Sequence, residues 1–134
     1  VVGAVREPDD LGAGAVGGYI GMRLIEAGTD VAFVARRDRL KQLSRQGLVV
    51  RSPLGARATP VVAFEHPAPG LKPDIVVIAC KAPALDGAIA AIKPCVGEET
   101  LILPVLNGIK HIETFHQVFP GNPILGGIVH GALT

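Results

Sequence analysis

Residues 12–17 read Gly-Ala-Gly-Ala-Val-Gly, a G-x-G-x-x-G spacing suited to holding a phosphate. The first glycine of such a run permits a tight strand-to-helix turn, the second lets a pyrophosphate approach the backbone, and the third lets the helix pack closely on a sheet. The helix that follows aims its free N–H groups and its dipole at the anion. The competing reading is a purely structural glycine turn in a chain that carries 17 glycines. Further on, the apolar run VAFVA (31–35) ends in Arg36 and Arg37. An acidic residue at that place binds both ribose hydroxyls of NAD, whereas a guanidinium pairs in its plane with a 2′-phosphate. The two arginines therefore point to NADP. Asp38 is an acidic competitor two residues late, and the bland alternative is that both arginines open a solvent-facing helix.

The elements that would position these groups alternate between strand and helix. Residues 15–27 (AVGGYIGMRLIEA) form a helix with Val16, Ile20, Leu24 and Ala27 on one face, stopped by Gly28. Residues 37–46 form a second helix, with Leu40 and Leu43 inward and Gly47 closing it. Residues 48–63 read as two strands around the turn Ser52-Pro53-Leu54-Gly55. DIVVIAC (74–80) is the strongest strand, and its unbroken β-branched run signals burial on both faces. A small-residue helix follows at 84–92. A strand at 100–106 contains Pro104, which marks a bulge or the end of regular pairing. A helix at 109–119 turns Ile112, Phe115 and Phe119 inward, and 123–133 supplies a last strand. Strands separated by helices of this length require right-handed parallel crossovers. The expected fold is α/β: a Rossmann-type, doubly wound, mostly parallel sheet with helices on both faces, in one domain over 1–134.

Composition narrows the function classes. The 134 residues are 49% hydrophobic and 19% charged with net charge +1, which excludes disorder and offers no basic stripe for nucleic acid. The longest apolar run, residues 75–80, is far short of the ~18 residues that span a bilayer, so no membrane association is expected. Cys80 and Cys95 make no disulfide framework and no CxxC pair, and with no visible signal peptide they fit a reducing cytoplasm. His111 and His116 are five apart and share no helix face, His66 lies in a proline-rich loop, and His130 alone approaches a strand end near the crevice. No metal-ligand spacing and no nucleophile motif occurs.

A phosphate loop should follow directly on a strand, yet VREPDDL (5–11) intervenes and the only strand-like start is Val1-Val2. Val5 to Ala13 reads as a nine-residue insertion after VVGA, with Gly3 competing with Gly12 for the first glycine role, as a solvated flap, or as a sequence artefact. An insertion would bring Glu7, Asp9 and Asp10 towards the pyrophosphate, where like charges repel.

From Gly12 to the end, the stretch GAGAVGGYIGMRLIEAGTDVAFVARRDRLKQLSRQGLVVRSPLG, then VIACKAP, LPVLNGI and LGGIVHGA, resembles the N-terminal domain of the ketopantoate reductase (2-dehydropantoate 2-reductase) family. The resemblance implies an NADP-binding domain completed by a helical C-terminal domain, and NADPH-dependent reduction of ketopantoate to pantoate on the route to pantothenate and coenzyme A. It implies cofactor contacts from Gly12, Ala13, Gly14, Ala15, Val16 and Gly17, from Arg36 to the 2′-phosphate, and from Lys81. Asn107 would meet the nicotinamide end and the substrate, and the backbone of Ala132 would touch the cofactor. The family's proton-donating lysine has no counterpart in this chain, so no catalytic residue is assigned here. Lys81 and Asn107 also follow central strands, whose carboxyl ends line the ligand crevice of open α/β sheets. The blander readings are a solvent-reaching lysine and an Asn-Gly turn. The implied partner is a small 2-keto acid, with homo-oligomerisation through an exposed apolar face. The alternatives are a non-catalytic dinucleotide-binding module and the cofactor domain of a related 2-keto acid reductase.

Overall fold

A computed structural model describes residues 2–4, 13–35, 37–52, 55–79, 85–105 and 110–125. In chain order these form β1 (Val2–Ala4), α1 (Ala13–Glu26), β2 (Ala32–Val34), α2 (Arg37–Gln46), β3 (Leu48–Ser52), β4 (Gly55–Thr59), β5 (Val62–Phe64), β6 (Ile75–Ile78), α3 (Leu85–Ile92), β7 (Leu101–Pro104) and α4 (Lys110–Val118). A 3₁₀ turn, Lys93–Cys95, extends α3. Five strands build a parallel sheet in the order β5-β2-β1-β6-β7, while β3 and β4 pair as a separate antiparallel hairpin. Beyond β7, Ile124 bridges Ile102 in the parallel sense, so a sixth strand position begins there. The chain builds from β1 outward to β2 and β5, then returns to the other side of β1 for β6 and β7. This is the doubly wound Rossmann-type α/β order with its reversal between β1 and β6.

Reversing the direction of growth sends right-handed crossovers to the opposite face, and the core divides accordingly. Phe33 and Ala35 of the β2 segment pack with Met22 of α1, Leu43 of α2 and Leu48 of β3. Val34, between them, points the other way and joins Val76, Ile78 and Ile102 against α3, Phe115 and Phe119. Alternation along a strand produces both faces from three consecutive residues.

Several expectations stand as made. The second helix spans residues 37–46, and Gly47 (φ +73°) closes it with its N–H on the Leu43 carbonyl. An added Cβ there would overlap the Thr59 backbone. Gly28 stops α1 in a Schellman arrangement, its N–H on the Ile25 carbonyl and that of Thr29 on the Leu24 carbonyl. Pro104 does end β7. Leu101 and Val105 donate to β6 while Ile102 bonds the Pro123–Leu125 side, so Pro104 turns its missing donor away from β6 and costs that ladder nothing.

Other expectations need correction. Residues 48–63 hold three strands, because Pro60 ends β4 and Val62–Phe64 leaves the hairpin to pair with β2. The buried face of α1 is Gly17, Gly18, Gly21 and Met22, whereas Ile20 and Leu24 are half-buried and Ala27 is exposed. Apolar periodicity picks out bulky side chains, but here the helix lies against the sheet by its glycines. Of the expected 123–133 strand, the Ile124 bridge is described and residues 126–134 lie outside the described set.

At the edge where the strands begin, side chains tie the turns together. The Thr100 hydroxyl donates to the Pro73 carbonyl (2.7 Å) and accepts from the Gly97 N–H (2.9 Å). The Asn122 amide donates to the carbonyls of Gly97 (2.7 Å) and Thr100 (2.9 Å). At about 1 kcal/mol net per bond, with extra cost for stranded carbonyls, Asn122→Ala should lower stability by about 1–3 kcal/mol. Urea unfolding checks this, and an unchanged midpoint would contradict the role given to Asn122.

Candidate functional site at the strand-end edge

The register across the parallel sheet sets the last described residues of its five strands in one row. Ala4 of β1 faces Val34 and Ile78, Val34 faces Phe64, and Ile78 faces Pro104. At a strand spacing of about 4.8 Å, the ends of β2 and β7 lie roughly 14 Å apart. Helices that follow parallel strands start from this same edge. It therefore collects the amino termini of α1 at Ala13, α2 at Arg37, α3 at Leu85 and α4 at Lys110. Each end carries N–H groups without an intrahelical partner and a partial positive charge.

Within the expected glycine loop, residues 13–16 form the first turn of α1 and Gly17 opens its second. That turn holds no acidic residue and none larger than valine, a composition suited to an anion at its N–H groups. It stands at the β1/β6 reversal, where open α/β sheets hold ligands. Gly3 lies inside β1, in register with Phe33 and Val77, and so within the strand instead of at its terminal turn. Gly12, Arg36, Lys81, Asn107 and Ala132 lie outside the described residues, as do Cys80, His130 and the whole VREPDDL segment. The last strand residues before Arg36, Lys81 and Asn107 are Val34, Ile78 and Pro104, members of the same row.

Among described side chains at this edge, Arg37 is exposed, and Arg39 donates to the Gln42 side-chain carbonyl at 2.9 Å. Burial lowers the Arg39 pKa from its usual value. In the first turn of α4, His111 packs edge-on against Phe115, with ring centroids 6.2 Å apart. Burial pulls its pKa below the ordinary histidine value. Cys95 is fully buried, donates to the Ile92 carbonyl at 3.1 Å, and has its thiol pKa pushed up by burial, the opposite of an activated nucleophile. Among the described residues no cluster of metal-ligating side chains occurs, and no helix is long and apolar enough to cross a membrane. Large exposed apolar side chains (Tyr19, Val49, Val62, Leu71 and Leu125) are distributed over α1, β3, β5, the loop before β6 and the segment after α4.

Strand order, row of strand ends and helix termini together define a Rossmann-type α/β domain. A family model described as ketopantoate reductase PanE/ApbA matches residues 11–134, and the chain belongs to that family. An uncharacterized oxidoreductase of Bacillus subtilis (strain 168), YkpB, is 41% identical over 88% of the chain and 39% of its own length. A 2-dehydropantoate 2-reductase of Nostoc sp. (strain PCC 7120) is 34% identical over 88% of the chain and 37% of its own length. The chain thus spans about two fifths of the curated relatives it matches. In fold alone it resembles D-mandelate dehydrogenase, solved in a ternary structure with NADH and anilino(oxo)acetate. That likeness has a TM-score of 0.82 at 21% identity, over 95% of this chain and 40% of that one.

The lowered pKa of His111 carries a pH consequence. The unfolded chain binds that proton more readily, so stability falls as pH drops through about 6.5 and levels off once folded His111 also protonates. Urea midpoints between pH 8 and pH 5 should fall less in His111→Gln than in the parent chain. An identical fall in both would refute this.

Proposed function

We propose that this chain is the NADP-binding part of a reductase that converts 2-dehydropantoate to pantoate in cytoplasmic pantothenate and coenzyme A biosynthesis. The observation that carries the reading is the common row of strand ends. It supports the reading because the strands that precede Arg36, Lys81 and Asn107 end level with one another, beside the amino terminus of α1. When bound, NADPH supplies the reducing equivalent for the keto carbon. The chain's own residues bind and orient. N–H groups of residues 13–16, with Gly12 and Gly17 keeping the approach clear, hold the pyrophosphate. Arg36 pairs its planar guanidinium with the 2′-phosphate. Lys81 adds a point charge, the Asn107 amide donates and accepts at the nicotinamide and substrate end, and the Ala132 backbone contacts the cofactor. Proton transfer is assigned to none of residues 1–134. On this reading the chain by itself binds cofactor and does not turn over ketopantoate.

The likeness to D-mandelate dehydrogenase favours a second reading, an NADH-linked reductase of another 2-keto acid. Calorimetric titration with NADPH and NADH separates the two. Tighter binding of NADPH is expected, and Arg36→Ala should weaken NADPH at least about tenfold, the loss of roughly one charge-assisted hydrogen bond. NADH binding should change much less. Equal losses for the two nucleotides would remove the 2′-phosphate assignment, and no binding of either at millimolar concentration would leave a structural module.

A further inference from the structure

Midway along α1, Gly21 lies directly against Phe33 of β2, the strand leading to Arg36. A Cβ placed on Gly21 would overlap the Phe33 Cζ and stand 2.8 Å from its Cε1. Phe33 is 1% exposed and enclosed with Met22, Ala35, Leu43 and Leu48. Its partners across the sheet are Gly3 on β1 and Ala63 on β5, both among the smallest residues. A large ring in the middle of β2 is thus accommodated by small residues on either side and by a bare helix above. The neighbouring position is looser, since a Cβ on Gly18 would meet the Leu48 Cδ1 at 3.4 Å.

From this we infer that Gly21 is a positioning residue for the nucleotide. By letting α1 rest on Phe33, it fixes how far the first turn of α1 stands from the end of β2, and so the separation of the pyrophosphate and 2′-phosphate subsites. The inference rests on the nucleotide reading given above. Ordinary carbon–carbon contact near 3.5–4.0 Å requires α1 to rise by about 1 Å once Gly21 carries a methyl group. Phe33, on β2, holds the segment before Arg36 in place while the helix moves. Displacements of that size are costly wherever several groups must converge on one ligand.

The test measures binding of NADPH and of 2′-AMP, which carries the 2′-phosphate without the pyrophosphate, to the parent chain, Gly21→Ala, Phe33→Leu and the double variant. Gly21→Ala should weaken NADPH at least tenfold and leave 2′-AMP within about twofold. Adding Phe33→Leu, which removes the ring carbons that the new methyl overlaps, should restore most of the NADPH affinity. Gly18→Ala, with its looser contact, should bind NADPH like the parent. Circular dichroism and urea midpoints report whether each variant folds. If Gly21→Ala unfolds, the double variant still decides, because a folded double variant that binds NADPH tenfold more weakly than Phe33→Leu alone contradicts the ring contact as the cause. Parent-like NADPH binding by folded Gly21→Ala, or equal loss of NADPH and 2′-AMP, overturns the inference. Failure of the parent chain to bind NADPH at all would instead overturn the nucleotide reading.

Discussion

Hydrogen bonding on both sides of β1 is the constraint from which the rest of the molecule follows. Through its three described residues this strand pairs in parallel with β2 on one side and β6 on the other and so joins the two halves of the sheet. Parallel pairing forbids hairpin returns, and each chain crossing must come back through a helix or long connection. Helix starts are thereby forced to the edge where strands finish. The positive ends of four helices gather there because of backbone connectivity, before any side chain is chosen for chemistry.

The two edges of the sheet are finished differently. Where strands begin, Thr100 and Asn122 satisfy the carbonyls of neighbouring turns with side-chain bonds. Those bonds tie together the turns that lead into β6 and β7. Where strands end, the first turn of α1 has N–H groups without an intrahelical partner and a sequence of small residues. Ligands of open parallel sheets bind beyond the carboxyl ends of the strands, which leaves the opposite edge free to carry bonds that serve the fold.

Much of this architecture was legible in the sequence, and the parts that were not share a physical cause. Helix 37–46 was bounded by a charged start and a glycine stop, and the IVVI strand announced its burial through β-branched residues. Local chemistry of that kind is visible from one segment at a time. The strand at Val62–Phe64 was hidden because its partner is β2, some thirty residues earlier, and nothing local separates it from the hairpin except Pro60. The packed face of α1 was misplaced because Gly21 matters for what it lacks, and an absent side chain leaves no mark in an apolar pattern. As for the site, the sequence located the helix-opening glycines and the strands that lead to Arg36, Lys81 and Asn107. That the strands finish level with one another depends on register, which spacing along the chain does not encode.

Phe33, Val34 and Ala35 partition the interior into two compartments separated by the sheet's own backbone. Among the described residues the buried side chains beneath α3 and α4 and those beneath α1 and α2 form separate clusters, so a change of volume in one reaches the other through the sheet between them. Substitutions on opposite faces should therefore combine nearly additively, while those sharing a face couple. The compartment under α3 and α4 can thus drift in sequence with little effect on the compartment that seats α1, and the fold can be tuned for stability and for ligand geometry as separate variables.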